Sequence, residues 1–211
     1  LEPDFWLPQS SPMATWTAGQ ILLEAKATPN HPVVRKLLAY LLKTPQVQPG
    51  MWPSVLPENN LHPHAPWWQW EEGVQRNWMF NHSVELAAMM IDWSPLESDA
   101  ACLGWESLGH AFRHLMQVTA MERHELQNYR ASLRLLHPHR ASFNARLEYA
   151  YEQVRAKVQS LVKDTIDRDV ANWGEGYKPL PLDFIHSPED PLFEELKPLV
   201  ERNLDFYLEQ R

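Results

Sequence analysis

The sequence predicts an all-α protein in which helices pair as antiparallel neighbours and a long, ordered, aromatic loop packs over their ends. Three observations favour this class. Apolar residues recur at helical spacing along most of the chain, no segment alternates convincingly with period two, and turns rich in proline and asparagine separate the helical segments. At 211 residues, the chain suits a single domain over 1–211 with a sizeable core.

The first two predicted helices form a hairpin. The first spans about 12–27, with Ser11 as its N-cap and a proline at the first helical position. The turn "TPNHP", in which Asn30 can cap and Pro32 suits a first turn, leads into a second helix over about 31–43. Because the link is so short, the two helices must be antiparallel neighbours.

Residues 44–80 form a loop rich in proline and tryptophan. They contain six of the 18 prolines and five of the ten tryptophans, without helical periodicity. A connection of this length without its own secondary structure is usually either functional or disordered. Disorder would leave the tryptophan side chains in water, and we therefore expect an ordered loop packed over helix ends.

Further helical patterns follow the loop. The segment VELAAMMI, capped by Asn81 or Ser83, is apolar on nearly all sides and is expected to be buried. The next predicted helices, in chain order, span about 98–119, 122–136 and 142–166. The sequence "HPHR", with Pro138, breaks the helical pattern between the last two of them.

The last predicted helix follows a second irregular stretch, "NWGEGYKPLPLDFIHSPED", and reaches Arg211. Pro198 lies inside its pattern and either kinks this helix or marks its true start. The pattern is still helical at Arg211, which suggests a trimmed part of a longer protein.

Composition and charge narrow the function classes. The formal charge of −8 argues against nucleic-acid binding, because such binding needs clustered lysine and arginine, which are scattered here. Cys102 is the only cysteine, which excludes a disulfide scaffold and favours a reducing compartment. No apolar run reaches the length of a membrane span, and no signal peptide or lipidation motif is visible, so a cytoplasmic protein is predicted. An oligomer remains open.

A short motif closes the first hairpin. The stretch LLAYLLKTPQVQPGMW ends in Gln46-x-x-x-Gly50-x-Trp52. This arrangement resembles the QW motif of the squalene–hopene and oxidosqualene cyclases and of the related prenyltransferase repeats. The resemblance implies helix pairs in a partial α/α toroid, with the glutamine bonding free backbone groups at a helix end and the tryptophan stacked over it. It is clear over about 12–52, and the C-terminal LDFYLEQR, with Gln210 where Gln46 stands, is a faint echo.

The catalytic motifs of that superfamily do not carry over. The Asp-x-Asp-Asp cluster that protonates cyclase substrates is absent, as is an Asp-Asp-x-x-Asp motif for diphosphate-bound magnesium. The zinc-binding Asp-x-Cys pair of the protein prenyltransferases is missing too, because Ala100 stands at the aspartate position before Cys102. The fold resemblance therefore does not bring a reaction with it.

The segment PENNLHPHAPWWQW, residues 57–70, is the leading candidate for a binding site. His62 and His64 lie two residues apart in a proline-flanked segment, and in an extended chain their rings point the same way. Two imidazoles could bind one metal with a third ligand such as Glu58, Glu85 or His82, could face an apolar ligand, or could simply make hydrogen bonds. We predict no metal or cofactor. The predicted ligand contacts are Trp52, His62, Trp67, Trp68 and Trp70.

Acid–base chemistry, if the protein is an enzyme, is expected from His64 or Glu85. Glu85 lies on the most apolar helix, where a carboxylate that faces a cavity would have a raised pKa and one that faces the loop would bond backbone N–H groups. His110 and His114 share one helix face at a spacing compatible with a metal, although helix-packing histidines have the same spacing.

Three functions are compatible with these residues. The first is a protein similar to prenyltransferases and terpenoid cyclases that holds an apolar or isoprenoid-like small molecule in an aromatic cavity. The second is a non-catalytic helical-repeat module that binds a protein or peptide partner through the tryptophan-rich loop. The third and weakest is a metal-dependent hydrolase built on the histidines.

Overall fold

The computed structural model describes residues 4–209 and shows an all-α protein, as predicted. Within these residues there is no β-sheet, and only two isolated bridges pair extended backbone. The helices are α1 (Pro12–Glu24), α2 (Pro32–Lys43), α3 (Asn81–Asp92), α4 (Asp99–Gln117), α5 (Arg123–Leu136), α6 (Arg140–Arg146), α7 (Tyr151–Thr165) and α8 (Phe193–Glu209).

Helices α1 and α2 pack against each other as the predicted hairpin. The Ser11 side chain caps α1 by accepting a hydrogen bond from the Ala14 N–H at 3.1 Å. The cap of α2 is His31, whose Nδ1 accepts from the Val33 N–H at 3.3 Å, and not the predicted Asn30. The first helix also ends at Glu24, earlier than predicted, because Lys26 adopts a left-handed turn.

Helix α3 occupies the centre of the fold. Residues 81–91 are all buried, as the apolar character of VELAAMMI predicted, and the helix packs against α1, α4 and α5. A continuous cluster of buried apolar side chains extends from α2 to α8 around it. A toroid would be hollow at its centre, whereas α3 and the buried apolar side chains around it occupy the centre of this fold. The toroid arrangement is not confirmed.

The prediction of a single helix over 142–166 was wrong, because two helices, α6 and α7, occupy this part of the chain. Leu147 is extended between them. The Asn144 side chain accepts a hydrogen bond from the Tyr151 N–H at 2.8 Å, and Gln153 Oε1 accepts from the Ala150 N–H at 2.9 Å. These side chains accept hydrogen bonds from free N–H groups at the start of α7. A new helix therefore begins there, although the apolar periodicity continues across the break.

Helix α8 includes Pro198 within its length, so this proline does not mark the start of the helix. The helix buries Leu196, Val200 and Asn203, a face with i, i+4, i+7 spacing. The predicted helix end at Arg211 and the proposed motif residue Gln210 lie outside the described residues.

Residues 44–80 contain no α-helix, only short 3₁₀ segments. Trp52 and Met51 enter the main core from this loop. A second, smaller apolar cluster holds the rest of the loop against the N-terminal segment, and it consists of Phe5, Met13, Val55, Trp68 and Val74.

The Gln46–Trp52 turn uses its motif residues to pair backbone groups. Gln46 Oε1 accepts from the Gly50 N–H at 2.9 Å, while Gln46 Nε2 donates to Ser107 Oγ on α4 at 2.8 Å. The Trp52 indole N–H donates to the Leu41 carbonyl at the end of α2, at 3.3 Å. A helix end leaves such carbonyls without intrahelical partners, so this bond stabilises the C-terminus of α2.

Substituting Gly50 with alanine is expected to lower the free energy of unfolding by about 2 kcal/mol or more. Gly50 has φ +84°, and an added Cβ would lie 2.8 Å from the Ser107 carbonyl oxygen. Chemical denaturation measures the loss. Gly174→Ala is the matched control, since its Cβ would meet nothing within 4 Å, and equal losses in both variants would contradict the argument.

Candidate functional site

The predicted ligand-binding tryptophans divide into two groups. Trp52 is fully buried in the main core, and Trp68 is buried in the smaller cluster. Trp67 and Trp70 are 58% and 37% exposed. The four indoles therefore do not share one environment, and of the four, only Trp67 and Trp70 are accessible to a ligand in this conformation.

The tryptophan-rich loop is fixed to the N-terminal segment by an antiparallel pairing. The Trp6 N–H donates to the Pro63 carbonyl at 3.0 Å, and the Ala65 N–H donates to the Asp4 carbonyl at 2.8 Å. The Trp67 indole N–H donates to the Asp4 carboxylate at 3.3 Å. Two chain segments about sixty residues apart in sequence thus form one surface.

Trp68 anchors this surface from below. Its ring stacks on Trp78 with centroids 4.4 Å apart and meets the edge of Phe5 at 5.0 Å. Aromatic pairs of this kind stabilise by about 0.5–1.5 kcal/mol beyond their buried area. The loop is therefore held by side-chain packing as well as by the backbone pairing.

Four large apolar side chains are exposed on this fixed surface, and we call them the aromatic face: Trp6 (67% exposed), Leu61 (78%), Trp67 (58%) and Trp70 (37%). Sequence reasoning found Trp67 and Trp70 and missed Trp6 and Leu61. Trp6 follows the buried Phe5 in an extended segment, and alternating side chains of such a segment point to opposite sides. The only sequence signal was the aromatic pair itself in "DFWLP".

His64 has both ring nitrogens engaged. Nδ1 lies 2.7 Å from the His62 carbonyl oxygen, and Nε2 lies 2.9 Å from Gln69 Oε1. Because the protonated ring donates to both oxygens, these bonds raise the pKa of His64, and the bond to the His62 carbonyl contributes most. His62 is half-buried in the same segment.

Glu85, the second predicted catalytic residue, faces α1. It is 4% exposed, and its Oε2 accepts from the Trp16 indole N–H at 2.7 Å and from Gln20 Nε2 at 3.3 Å. Burial raises the pKa of this carboxyl, and the two hydrogen bonds oppose the change. In the described part of the chain, no hydrogen bond or ion pair joins Glu85 to His64.

The other histidines make separate contacts. His110 Nδ1 lies 3.1 Å from the Arg113 guanidinium, whereas His114 faces Glu125 on α5, at 4.0 Å. His82 is fully buried, with Nδ1 3.4 Å from Ser54 Oγ, and burial lowers its pKa to about 3. Over residues 4–209, no group of three or more His, Cys, Asp and Glu side chains is arranged to hold a metal ion.

Comparison of the chain with protein-family models, curated proteins and solved structures finds no match. None of the helices described over 4–209 combines the length and apolar character that crossing a membrane requires.

Proposed function

We propose that this protein binds a partner protein through the aromatic face, and that the partner contributes a segment with basic and apolar side chains. The observation that carries the proposal is the exposure of Trp6, Leu61 and Trp67 on a loop held in place from below. Large apolar side chains exposed together on a fixed segment are typical of an interaction site.

Tryptophan is enriched among the residues that dominate binding energy at protein interfaces. Each indole offers a large contact area with little side-chain freedom to lose. Since Trp68, Phe5 and the pairing of 4–6 with 63–65 already fix the loop, binding would not have to order it. A prearranged surface of this kind loses less entropy on association.

The charges around the aromatic face favour a basic partner. The exposed acidic residues that surround it are Asp4, Glu58, Glu71 and Glu72. Neither residues 4–25 nor residues 44–75 contain a lysine or an arginine. Arginine and lysine side chains bind both to carboxylates and to the faces of indole rings, so they suit this surface better than acidic groups.

An apolar or isoprenoid-like small molecule is the second candidate, because it would contact the same exposed indoles. This candidate comes from the resemblance of the Gln46–Trp52 turn to the QW motif, in which the glutamine bonds backbone groups at a helix end; here Gln46 bonds the Gly50 N–H of its own loop. The aromatic face suits a segment of a partner protein better than a small molecule, because its side chains project from the surface, whereas small-molecule sites are concave.

A peptide-display selection tests the proposal. Random peptides selected on the protein should be enriched in lysine or arginine together with aromatic or aliphatic residues. Isothermal titration calorimetry of the recovered peptides should show affinity at least about 30-fold weaker for the Trp6→Ala, Trp67→Ala double variant, because two interface tryptophans are removed. Affinity should also fall with added salt.

Ile21→Ala provides the matched control, since Ile21 is 60% exposed on α1 and does not belong to the aromatic face. This variant should bind the peptides like the unmodified protein. Farnesol, titrated in the same way, tests the second candidate: saturable binding that the double variant loses, without any basic peptide recovered, would replace the first proposal with the second. Peptides that bind the double variant as well as the unmodified protein would overturn both.

A further inference from the structure

A cavity of about 220 Å³ lies between α1, the outer face of α5 and residues 183–186, away from the aromatic face. It has space for roughly seven water molecules, which suits a small metabolite better than a drug-sized ligand. Trp16 and Phe184 supply apolar wall. The polar lining consists of the amides of Gln20, Gln127 and Asn128 and of the titratable or charged residues His124, Arg130, Arg134, Asp183 and His186.

The outer wall of the cavity is fixed to α5. Arg123 pairs with the Asp183 carboxylate at 2.7 Å, and Gln127 Nε2 donates to the Asp183 carbonyl at 2.7 Å. Arg130 bonds the Phe184 carbonyl and pairs with the Asp190 carboxylate. Since these α5 residues follow i, i+4, i+7 spacing, one helix face holds the whole segment in place.

The inner wall is fixed by the buried carboxyl of Glu85. It accepts hydrogen bonds from Trp16 and Gln20, and both of these side chains line the cavity. Asn128 is held from behind by a hydrogen bond to Asn81 of α3. The cavity is therefore preformed on both sides, as small-molecule sites usually are.

Arg134 differs from the other arginines of α5. Arg123 pairs with Asp183 and Arg130 with Asp190, but the Arg134 side chain makes no hydrogen bond or ion pair with another residue in the described part of the chain, although its charge helps to lower the pKa of the buried Glu85 carboxyl. A guanidinium has a planar fork of donors that matches a carboxylate. The donors of Arg134 are thus available to an anion in the cavity.

The amide side chains that line the cavity indicate a second group that the ligand would carry. Gln20, Gln127 and Asn128 each use their NH₂ group in a bond to another residue. None of their amide oxygens accepts a hydrogen bond from another residue over 4–209. These oxygens can accept from a ligand, and a hydroxyl or ammonium group would donate to them.

We propose that this cavity binds a small organic carboxylate that also carries a hydroxyl or amino group. Arg134 binds the carboxylate, and the amide oxygens of Gln20, Gln127 and Asn128 accept from the hydroxyl or ammonium. The remaining part of the ligand packs against Trp16 and Phe184. This proposal does not rest on partner binding at the aromatic face, and none of the lining residues belongs to that face.

Ligand-detected NMR with matched pairs of compounds tests the proposal. The acids lactate, mandelate, phenyllactate, leucine and phenylalanine are compared with the corresponding primary amides, which keep the shape of each acid and lack the negative charge of its carboxylate. At least one acid should bind with at least tenfold higher affinity than its amide. The Arg134→Gln variant should weaken its binding at least tenfold, because the ion pair is lost.

Arg134 is exposed, so the variant should keep the melting temperature of the unmodified protein within a few degrees. Arg35→Gln, another exposed arginine that does not line the cavity, should bind the acid normally. The proposal fails if no acid of the panel binds, if acids and amides bind equally, or if Arg134→Gln binds as the unmodified protein does. Inorganic phosphate binding as tightly as the best acid would also overturn it, since the site would then accept any anion.

Discussion

Replacing Trp52 with alanine is expected to lower the free energy of unfolding by about 3–5 kcal/mol, which is close to the whole stability of a marginal domain. Trp52 is fully buried and is among the largest such side chains in the core. Alanine would leave a cavity between α2 and α3 and would leave the Leu41 carbonyl without the indole N–H that it accepts from. Urea denaturation followed by circular dichroism measures the loss.

Trp67→Ala is the matched control for this prediction, because it makes the same change in the same loop at a side chain that is 58% exposed. It should alter the free energy of unfolding by about 0.5 kcal/mol at most. Trp52→Phe should cost less than Trp52→Ala, about 2 kcal/mol, because a buried aromatic ring remains while the indole N–H and part of the ring volume are lost. Similar losses for the two alanine variants would show that the buried Trp52 contributes no more to stability than the exposed Trp67.

The sequence is sufficient to predict the helices because their signals are local. Ser11 caps α1 three residues before the N–H that it accepts from, and the apolar run of α3 indicates burial by itself. The break between α6 and α7 is different in kind. It depends on the hydrogen bond that the Asn144 side chain accepts from the Tyr151 N–H, and apolar periodicity gives no information about this contact.

The candidate site was harder to predict because loop side chains have no periodicity that distinguishes inside from outside. Trp67 and Trp68 are adjacent, yet one is exposed and the other buried. Their directions follow from the pairing of Asp4 with Ala65 and from the stacking of Trp68 on Trp78. Such contacts between distant residues exist only in the folded chain.

Glu85 illustrates the same limit. Its position on an apolar helix left two alternatives open, a carboxyl that faces a cavity with a raised pKa or one that bonds backbone N–H groups of the loop. In the structure Glu85 bonds the side chains of Trp16 and Gln20, and burial raises its pKa. Its partners Trp16 and Gln20 lie 69 and 65 residues earlier in the chain. No local pattern connects them, and the cavity that they line could not be predicted from the sequence.

A second buried carboxyl, Glu125, should make stability depend on pH around neutrality. Glu125 is 7% exposed on α5, and its pKa is raised to about 7, chiefly by burial. The hydrogen bond from the Phe80 N–H opposes this shift, and the nearby Glu122 carboxylate adds to it. Burial also lowers the pKa of His114, whose Nε2 lies 4.0 Å from the Glu125 carboxyl, and this shift disfavours the protonated imidazole that would stabilise the carboxylate.

The sign of the effect follows from proton binding. In the unfolded chain the carboxyl ionises near pH 4.5, whereas in the folded protein it keeps its proton up to about pH 7. Between these values the folded state binds more protons, and stability therefore falls as the pH rises. The contribution of Glu125 is fully present below about pH 4.5 and is lost above about pH 7, by about 3 kcal/mol in all.

Glu125→Gln removes the titration and keeps an oxygen that can accept from the Phe80 N–H. The variant should gain about 3 kcal/mol relative to the unmodified protein between pH 4.5 and pH 8, measured as the difference between two urea denaturation series. Glu85 and His82 also titrate with shifted pKa values, but they are present in both proteins and cancel in this difference. Glu106→Gln, the same change at an exposed position on α4, is the control for the substitution itself. A pH-independent difference for Glu125→Gln would mean that this buried carboxyl ionises as it does in water.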